Sequence, residues 1–112
     1  MDKILEEFEN KGVRQGPDYY IFHGNEAIAV IERCRELNRK IYGIDVFRTE
    51  EGNEIVYYID YTNIGYRDFD PARYFDEFHI EKDKDVGHWE EAKQFIKDRI
   101  NSGYYFEVVY EK

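Results

Sequence analysis

Cysteine is almost absent from this sequence, which contains only Cys34. A single cysteine excludes an internal disulfide, and it excludes a zinc site built from several thiolates. Long apolar runs are also missing, so no segment approaches the roughly 20 residues that a membrane-spanning helix needs. The opening residues, MDKILEEFEN, are acidic and hold too short an apolar run for a signal peptide. We therefore expect a cytoplasmic protein whose residues 1–112 form one domain.

Positive charge is scarce, since 16 lysines and arginines stand against 25 aspartates and glutamates, for a formal net charge of −9. The sequence has no cluster of basic residues, which opposes binding to nucleic acid or to an anionic membrane. The acidic residues are spread along the chain and do not form a tail. This distribution favours a basic protein partner attracted by long-range electrostatic steering, although the same charge also serves solubility.

Motifs that carry catalysis or bind cofactors are missing as well. The glycines form no GxGxxG pattern, and the sequence has no nucleophile elbow. The histidines, His23, His79 and His88, are scattered without the spacing of a metal-binding pair. Cys34 falls on an apolar helical stripe and is typical of a small buried hydrophobe. We therefore expect a protein that is not an enzyme and that carries no cofactor.

Apolar periodicity predicts an α+β fold. Apolar residues recur at helical spacing in some segments, and runs of β-branched and aromatic residues predict strands in others. Four strands and three or four helices predict helices packed on one face of a mostly antiparallel four-stranded sheet, whose strand order these patterns leave open. In chain order we predict helix 2–11, strand 19–23, helix 26–39 capped by Asn25, a hairpin in 41–63, a short helix at 71–78, a helix in 88–102 ended by Gly103, and strand 104–110.

The predicted hairpin, IYGIDVFRTEEGNEIVYYIDYTN, carries an aspartate in each apolar run, Asp45 and Asp60. Gly52-Asn53 fits a two-residue type II′ turn, which places Asp45 opposite Asp60 and Val46 opposite Ile59. A three-residue loop would instead place Asp45 opposite Ile59, and the apolar pattern favours the first register. That register gives an apolar face of Tyr42, Ile44, Val46, Ile55, Tyr57, Ile59 and Tyr61, and a second face of Asp45, Phe47, Tyr58, Asp60 and Thr62.

Two facing carboxylates have several uses. An acid–base pair needs a pocket and unequal surroundings, and a magnesium or calcium site needs further oxygen ligands, for which Thr62 and Glu107 are candidates. Each aspartate also has a purely structural explanation, as a backbone cap or as the ion-pair partner of Arg48 or Arg67. Among the functional explanations, the net charge favours contact with a basic partner over a metal.

The segment YTNIGYRDFDPARYFDEF, residues 61–78, interleaves aromatic and acidic residues. Aromatic anchors ringed by acidic groups suit a surface that binds a basic protein. Asp70 before Pro71 is better explained as a helix cap. The predicted partner-binding residues are therefore Asp45, Asp60, Tyr61, Tyr66 and Asp68.

The segment EAIAVIERCRELNRKIYGIDVF resembles small bacterial immunity proteins that neutralise polymorphic toxins, in particular the immunity-protein family numbered forty. Residues 43–46, Gly-Ile-Asp-Val, stand where that family has Gly-Gly-Asp-Val. Residues 60–63 stand near its Asp-Asn-Trp-like run, with Tyr61 in place of the tryptophan, and residues 105–109 resemble its closing aromatic strand. The resemblance covers about residues 20–110. It implies an inhibitor whose partner is the C-terminal domain of a toxin encoded nearby, without identifying the toxin's activity.

The leading hypothesis is an immunity protein that binds a basic toxin domain, such as a nuclease. Three alternatives stay open: an acidic mimic of nucleic acid, a small metal-dependent enzyme that uses Asp45 and Asp60, and a homo-oligomer that buries its open sheet face. The oligomeric state does not follow from the sequence.

Overall fold

A computed structural model describes residues 2–49, 55–58 and 87–112. In this part of the chain three α-helices and five strands form an α+β fold. The predicted helix at 71–78 lies outside the described residues. In chain order the elements are α1 (Lys3–Phe8), a 3₁₀ turn (Glu9–Lys11), β1 (Val13–Gly16), β2 (Tyr19–His23), α2 (Gly24–Glu36), β3 (Ile41–Thr49), β4 (Ile55–Tyr58), α3 (Trp89–Lys97), a 3₁₀ turn (Ile100–Ser102) and β5 (Tyr105–Tyr110).

The five described strands form one antiparallel sheet in the order β1-β2-β5-β3-β4. Both β2 and β3 run antiparallel to β5, so they run parallel to each other, and α2 connects them. The strand that comes last in the chain therefore lies in the middle of the sheet. Its side chains alternate between half-buried and buried, as a strand with two different faces requires.

The core lies between the helices and one face of the sheet. Phe22 and Phe106 contribute the largest buried rings, with 2% and 0% of their surface exposed. Burying such side chains is the main source of stability. The helices pack against the sheet through the apolar stripes predicted from the sequence. Cys34 lies on the stripe of α2 and is fully buried. The helical members of this core are Ile4, Leu5, Ala27, Val30, Ile31, Cys34, Ala92, Phe95 and Ile96.

Trp89 anchors the start of α3 to the connection between α2 and β3. Its indole Nε1 donates a hydrogen bond of 2.8 Å to the backbone oxygen of Arg39. The backbone N–H of Ile41 donates to the carbonyl of Gly87 at 2.9 Å. After α3 and the 3₁₀ turn that follows it, Gly103 has a φ of 72°, the left-handed conformation expected of a glycine that ends a helix.

The start of α2 differs from the prediction, because the helix begins at Gly24 with His23 as the N-cap, and not after Asn25. Strand β2 runs directly into α2 without a loop. Gly24 is packed so closely against α3 and its following turn that a Cβ atom would lie 2.7 Å from Cγ1 of Ile100. The packing of Gly24 against Ile100 therefore determines where α2 begins, and the capping preference of Asn25 does not.

Strand β1 was not predicted, so the prediction of four strands is wrong by one. Residues 13–16, VRQG, contain one apolar residue and so carry no local strand pattern. They become a strand because the chain reverses at Asp18, whose φ of 56° is left-handed, and then pairs with β2. The remaining strand predictions, 19–23 and 104–110, agree with β2 and β5 to within one residue.

The hairpin of β3 and β4 is confirmed, but its predicted register is wrong by one residue. Val46 lies opposite Tyr58, and not opposite Ile59, while Thr49 lies opposite Ile55. Ile55 therefore belongs with the face of Asp45 and Phe47, and not with Ile44 and Val46. The physical reason is that residues 55–59, IVYYI, are apolar or aromatic at every position, so a shift by one costs no apolar contact.

None of the helices in the described part of the chain combines the length and the apolar surface needed to span a bilayer.

Candidate functional site

Asp45 lies in the centre of β3, directly opposite Glu107 of β5. Residues that face each other in an antiparallel pair point to the same side of the sheet. The neighbours of these two residues, Ile44, Val46 and Phe106, are buried against the helices. Asp45 and Glu107 therefore lie on the opposite side, which we call the second face. Its described members include Tyr19, Ile21, His23, Asp45, Phe47, Ile55, Tyr105, Glu107 and Val109.

Aromatic rings surround the acidic pair on the second face. The rings of His23 and Tyr105 stack with their centroids 4.0 Å apart and a tilt of 31°. The rings of Tyr19 and Phe47 meet edge to face with centroids 6.3 Å apart. Phe47 is 5% exposed, whereas Asp45, Tyr19, Tyr105 and Glu107 are half-buried. The second face thus combines a buried apolar floor with acidic and aromatic groups that water reaches in part.

Glu107 has a pKa well above that of an ordinary glutamate. Burial, a hydrogen bond with Asp45 and the negative charge of Asp45 together raise the pKa of Glu107 to about 8, while Lys112 acts in the opposite direction. A hydrogen bond between two carboxyl groups requires that one of them carry a proton. At pH 7 Glu107 therefore keeps a proton, which it can donate to Asp45.

Tyr19 is coupled to the same pair from β2. Burial, followed by the negative charges of Glu107 and Asp45, raises the pKa of Tyr19 to about 12. The phenol consequently stays neutral throughout the physiological range. It offers the second face a hydroxyl group and an aromatic ring, and it offers no base.

A small cavity of about 80 Å³ lies beside the pairing of β2 with β5. Charged residues from both strands and their ends line it, namely Asp18, Glu107 and Lys112, together with apolar core residues such as Phe22. Sites for organic ligands usually occupy roughly 300–1,000 Å³. This cavity therefore accommodates water or a few atoms.

Metal ligands, the cysteine thiol and a histidine are the other groups in the described residues that chemistry could use. In residues 2–49, 55–58 and 87–112 no three histidine, cysteine, aspartate or glutamate side chains come together as metal ligands. Burial raises the pKa of the Cys34 thiol to about 12, which keeps it protonated and unreactive. His88 lies with Nδ1 3.0 Å from Oε1 of Glu91, at the start of α3 and away from the acidic pair.

Of the residues predicted to bind a partner, Asp45 is the one that the structure places. Asp60, Tyr61, Tyr66 and Asp68 lie outside the described residues. The predicted pairing of Asp45 with Asp60 belongs to a register that the described part of the hairpin does not have. The carboxylate that faces Asp45 is instead Glu107, on the other side of β3.

Sequence reasoning named Glu107 as an additional metal ligand and did not select Tyr19. The available signal for Glu107 was a lone charge in the apolar strand YYFEVVY, since such a charge marks the less buried face of a strand. Its neighbour could not be identified, because the central position of β5 was not predictable from local patterns.

No protein-family model, curated protein or solved structure matches this chain. The resemblance to immunity proteins therefore stays a prediction from sequence motifs.

Proposed function

We propose that this chain is an immunity protein, a non-enzymatic inhibitor that binds a basic toxin domain in the bacterial cytoplasm. The observation that best supports the proposal is the second face, where Asp45 and Glu107 stand side by side among aromatic rings. The sequence resemblance and the net charge of −9 point in the same direction.

A basic side chain matches this face chemically. A guanidinium group can donate to two carboxylates at once, and its planar surface stacks on aromatic rings. Tyr105 supplies such a ring on β5, the strand of Glu107, and Tyr19 and His23 supply rings on the neighbouring strand β2. The negative charge of the whole chain would speed association with a basic domain, and the aromatic contacts would slow dissociation.

Co-expression tests the proposal. The toxin domain from the neighbouring reading frame should arrest growth when expressed alone, and this chain should restore growth. The double variant Asp45→Asn, Glu107→Gln should bind the domain about 10- to 100-fold more weakly, because charged groups at the contact lose their partners. Binding is measured by calorimetry, after circular dichroism has shown that the variant is folded.

Glu6→Gln is the matched control. Glu6 is an exposed acidic residue on α1, on the helical side of the sheet, so Glu6→Gln removes a carboxyl group from the surface without altering the second face. This variant should rescue growth fully. Unchanged affinity in the double variant would exclude the second face as the contact, and absence of rescue by the wild-type chain would refute the immunity function.

Two further experiments test the acidic residues predicted from the sequence and the alternative function of a metal-dependent enzyme. Asp60→Asn with Asp68→Asn tests the acidic residues predicted from the sequence, in the same growth assay. Titration with millimolar magnesium, calcium or manganese tests the alternative of a metal-dependent enzyme. Heat of binding that disappears in Asp45→Asn would favour the metal over the toxin domain.

A further inference from the structure

The acidic pair occupies a sensitive position in the sheet. Strands β3 and β5 pair from Ile41 opposite Tyr110 to Phe47 opposite Tyr105, and Asp45 opposite Glu107 is in the middle of this ladder. Like charges directly opposite each other destabilise a pair of strands. Since β5 also joins β2 to β3, the ladder that contains the acidic pair holds the two halves of the described sheet together.

Several titratable or charged groups lie around Glu107, and they come from each strand beside it. Asp45 faces it from β3 and shares a hydrogen bond with it. Tyr19, on the same face of the neighbouring strand β2, is neutral, and Asp18 lies at the same small cavity as Glu107. Lys112, which follows β5, is the cation that acts on Glu107. His23 lies at the other end of the second face, stacked on Tyr105.

We infer that Asp45 and Glu107 form a proton-bridged pair that acts as a pH-sensitive link between the two central strands. One shared proton joins the two carboxyl groups at neutral pH. Loss of this proton sets two negative charges against each other across β3 and β5, and it weakens the pairing of these strands. This inference holds whether or not the chain is an immunity protein.

The direction of the pH effect follows from the proton balance. The folded chain keeps the proton of Glu107 up to about pH 8, whereas an unfolded glutamate releases it near its ordinary value of 4.5. Between these values the folded state holds one more proton than the unfolded state, so stability falls as the pH rises. Each pH unit in this window should lower the folding equilibrium constant by up to tenfold.

Denaturation of the full chain by urea, at constant ionic strength between pH 5 and pH 9, tests the inference. The wild-type chain should lose stability steadily as the pH rises from about 5 to 8. Glu107→Gln replaces the shared proton with an amide that donates to Asp45 and cannot ionise, so this variant should show a nearly flat profile. Glu6→Gln, which removes an exposed carboxyl on α1, should keep the wild-type slope.

A second measurement keeps the inference testable if Glu107→Gln does not fold. Asp45→Asn removes the hydrogen-bonded, negatively charged neighbour but leaves Glu107 buried, so the pH range over which stability falls should become narrower than in the wild-type chain. In the wild-type chain, the carboxyl carbon of Glu107 should titrate with a midpoint near 8 by nuclear magnetic resonance. A midpoint below 5, or a wild-type pH profile retained in either folded variant, would overturn the inference.

Discussion

Asp2 connects three distant parts of the chain through one side chain. Its Oδ2 accepts a hydrogen bond from the N–H of Ile4 at 3.1 Å, which caps α1, and another from the hydroxyl of Tyr110 at 2.5 Å. Its Oδ1 binds the guanidinium of Arg39. Burial alone would raise the pKa of Asp2, but hydrogen bonds from Tyr110 and Arg39 hold it below its ordinary value. Asp2 therefore stays ionised and joins α1, β5 and the connection between α2 and β3.

Replacing Asp2 by alanine should cost about 2–4 kcal/mol of stability at pH 7. Loss of the helix cap contributes about 1 kcal/mol, and the hydroxyl and guanidinium that lose their acceptor contribute the remainder. Asp98→Ala is the control, since Asp98 is exposed at the end of α3 and should change stability by less than about 0.5 kcal/mol. Urea denaturation compares the two variants, and equal losses would contradict this account of Asp2.

The pH dependence at Asp2 has the opposite sign to that at Glu107. The pKa of Asp2 is lower in the folded state, so its contribution is complete above its ordinary value of 3.8 and disappears as the pH falls through the lower folded value. The stability difference between wild type and Asp2→Ala should therefore shrink in acid. A difference that stays constant from pH 7 to pH 2 would show that ionisation of Asp2 is unimportant.

For Asp45, the sequence predicts the face of the sheet on which the side chain lies but not the residue that lies opposite it. The alternation of strand residues places Asp45 on the face away from the core, which agrees with the structure. It does not reveal which strand lies beside β3. For this reason the sequence pointed to Asp60 as the facing acid, while the structure pairs Asp45 with Glu107, about 60 positions later in the chain.

Among the elements, β1 depends on a close approach between two segments. Gly12, just before β1, lies so near β2 that a Cβ atom would be 2.5 Å from Cε1 of Phe22 and 2.8 Å from the backbone oxygen of Ile21. Phe22 is 2% exposed, so its ring has little room to move. The approach of β1 to β2 thus requires a residue without a side chain at position 12.

Gly12→Ala should therefore destabilise the protein by about 1–3 kcal/mol, as overpacking of a buried ring usually does. Gly16→Ala at the other end of β1 is the matched control, because its Cβ would lie 3.8 Å from Cβ of Tyr19, an ordinary contact distance. The control should stay within about 0.5 kcal/mol of wild type. Urea denaturation of both variants decides, and equal stabilities would show that position 12 accommodates a methyl group.

The elements differ in how well the sequence predicts them. Helix α2 and the strands β2 and β5 carry strong local patterns, and their predictions are close to the structure. Strand β1 carries almost none, because pairing with β2 and the turn at Asp18 create it. The β3–β4 register was also beyond local patterns, since IVYYI fits either alignment equally well.

For the chain as a whole, the proposed immunity function predicts that partner binding depends on pH through the proton of Glu107. A cationic group between Asp45 and Glu107 favours the ionised form of Glu107, so binding should release a proton below pH 8. Affinity should therefore rise with pH up to about 8, and it should fall with added salt.

Calorimetry in buffers of different ionisation enthalpy measures this proton release. The observed heat of toxin binding at pH 7 should change with the buffer for the wild-type chain and not for Glu107→Gln. Heat that is independent of the buffer in both proteins would place the partner away from the acidic pair, while leaving the pH-sensitive link between the strands intact.

The central position of β5 also dictates when the molecule can be completed during synthesis. Residues 13–23 and 41–58 leave the ribosome well before residues 105–110, yet each of the two segments needs β5 as its neighbour. Until then the inner edges of β2 and β3 have no strand between them, and Phe106 has not yet filled the core. The nascent chain must therefore keep two open strand edges apart from other chains until residue 110 has left the ribosome.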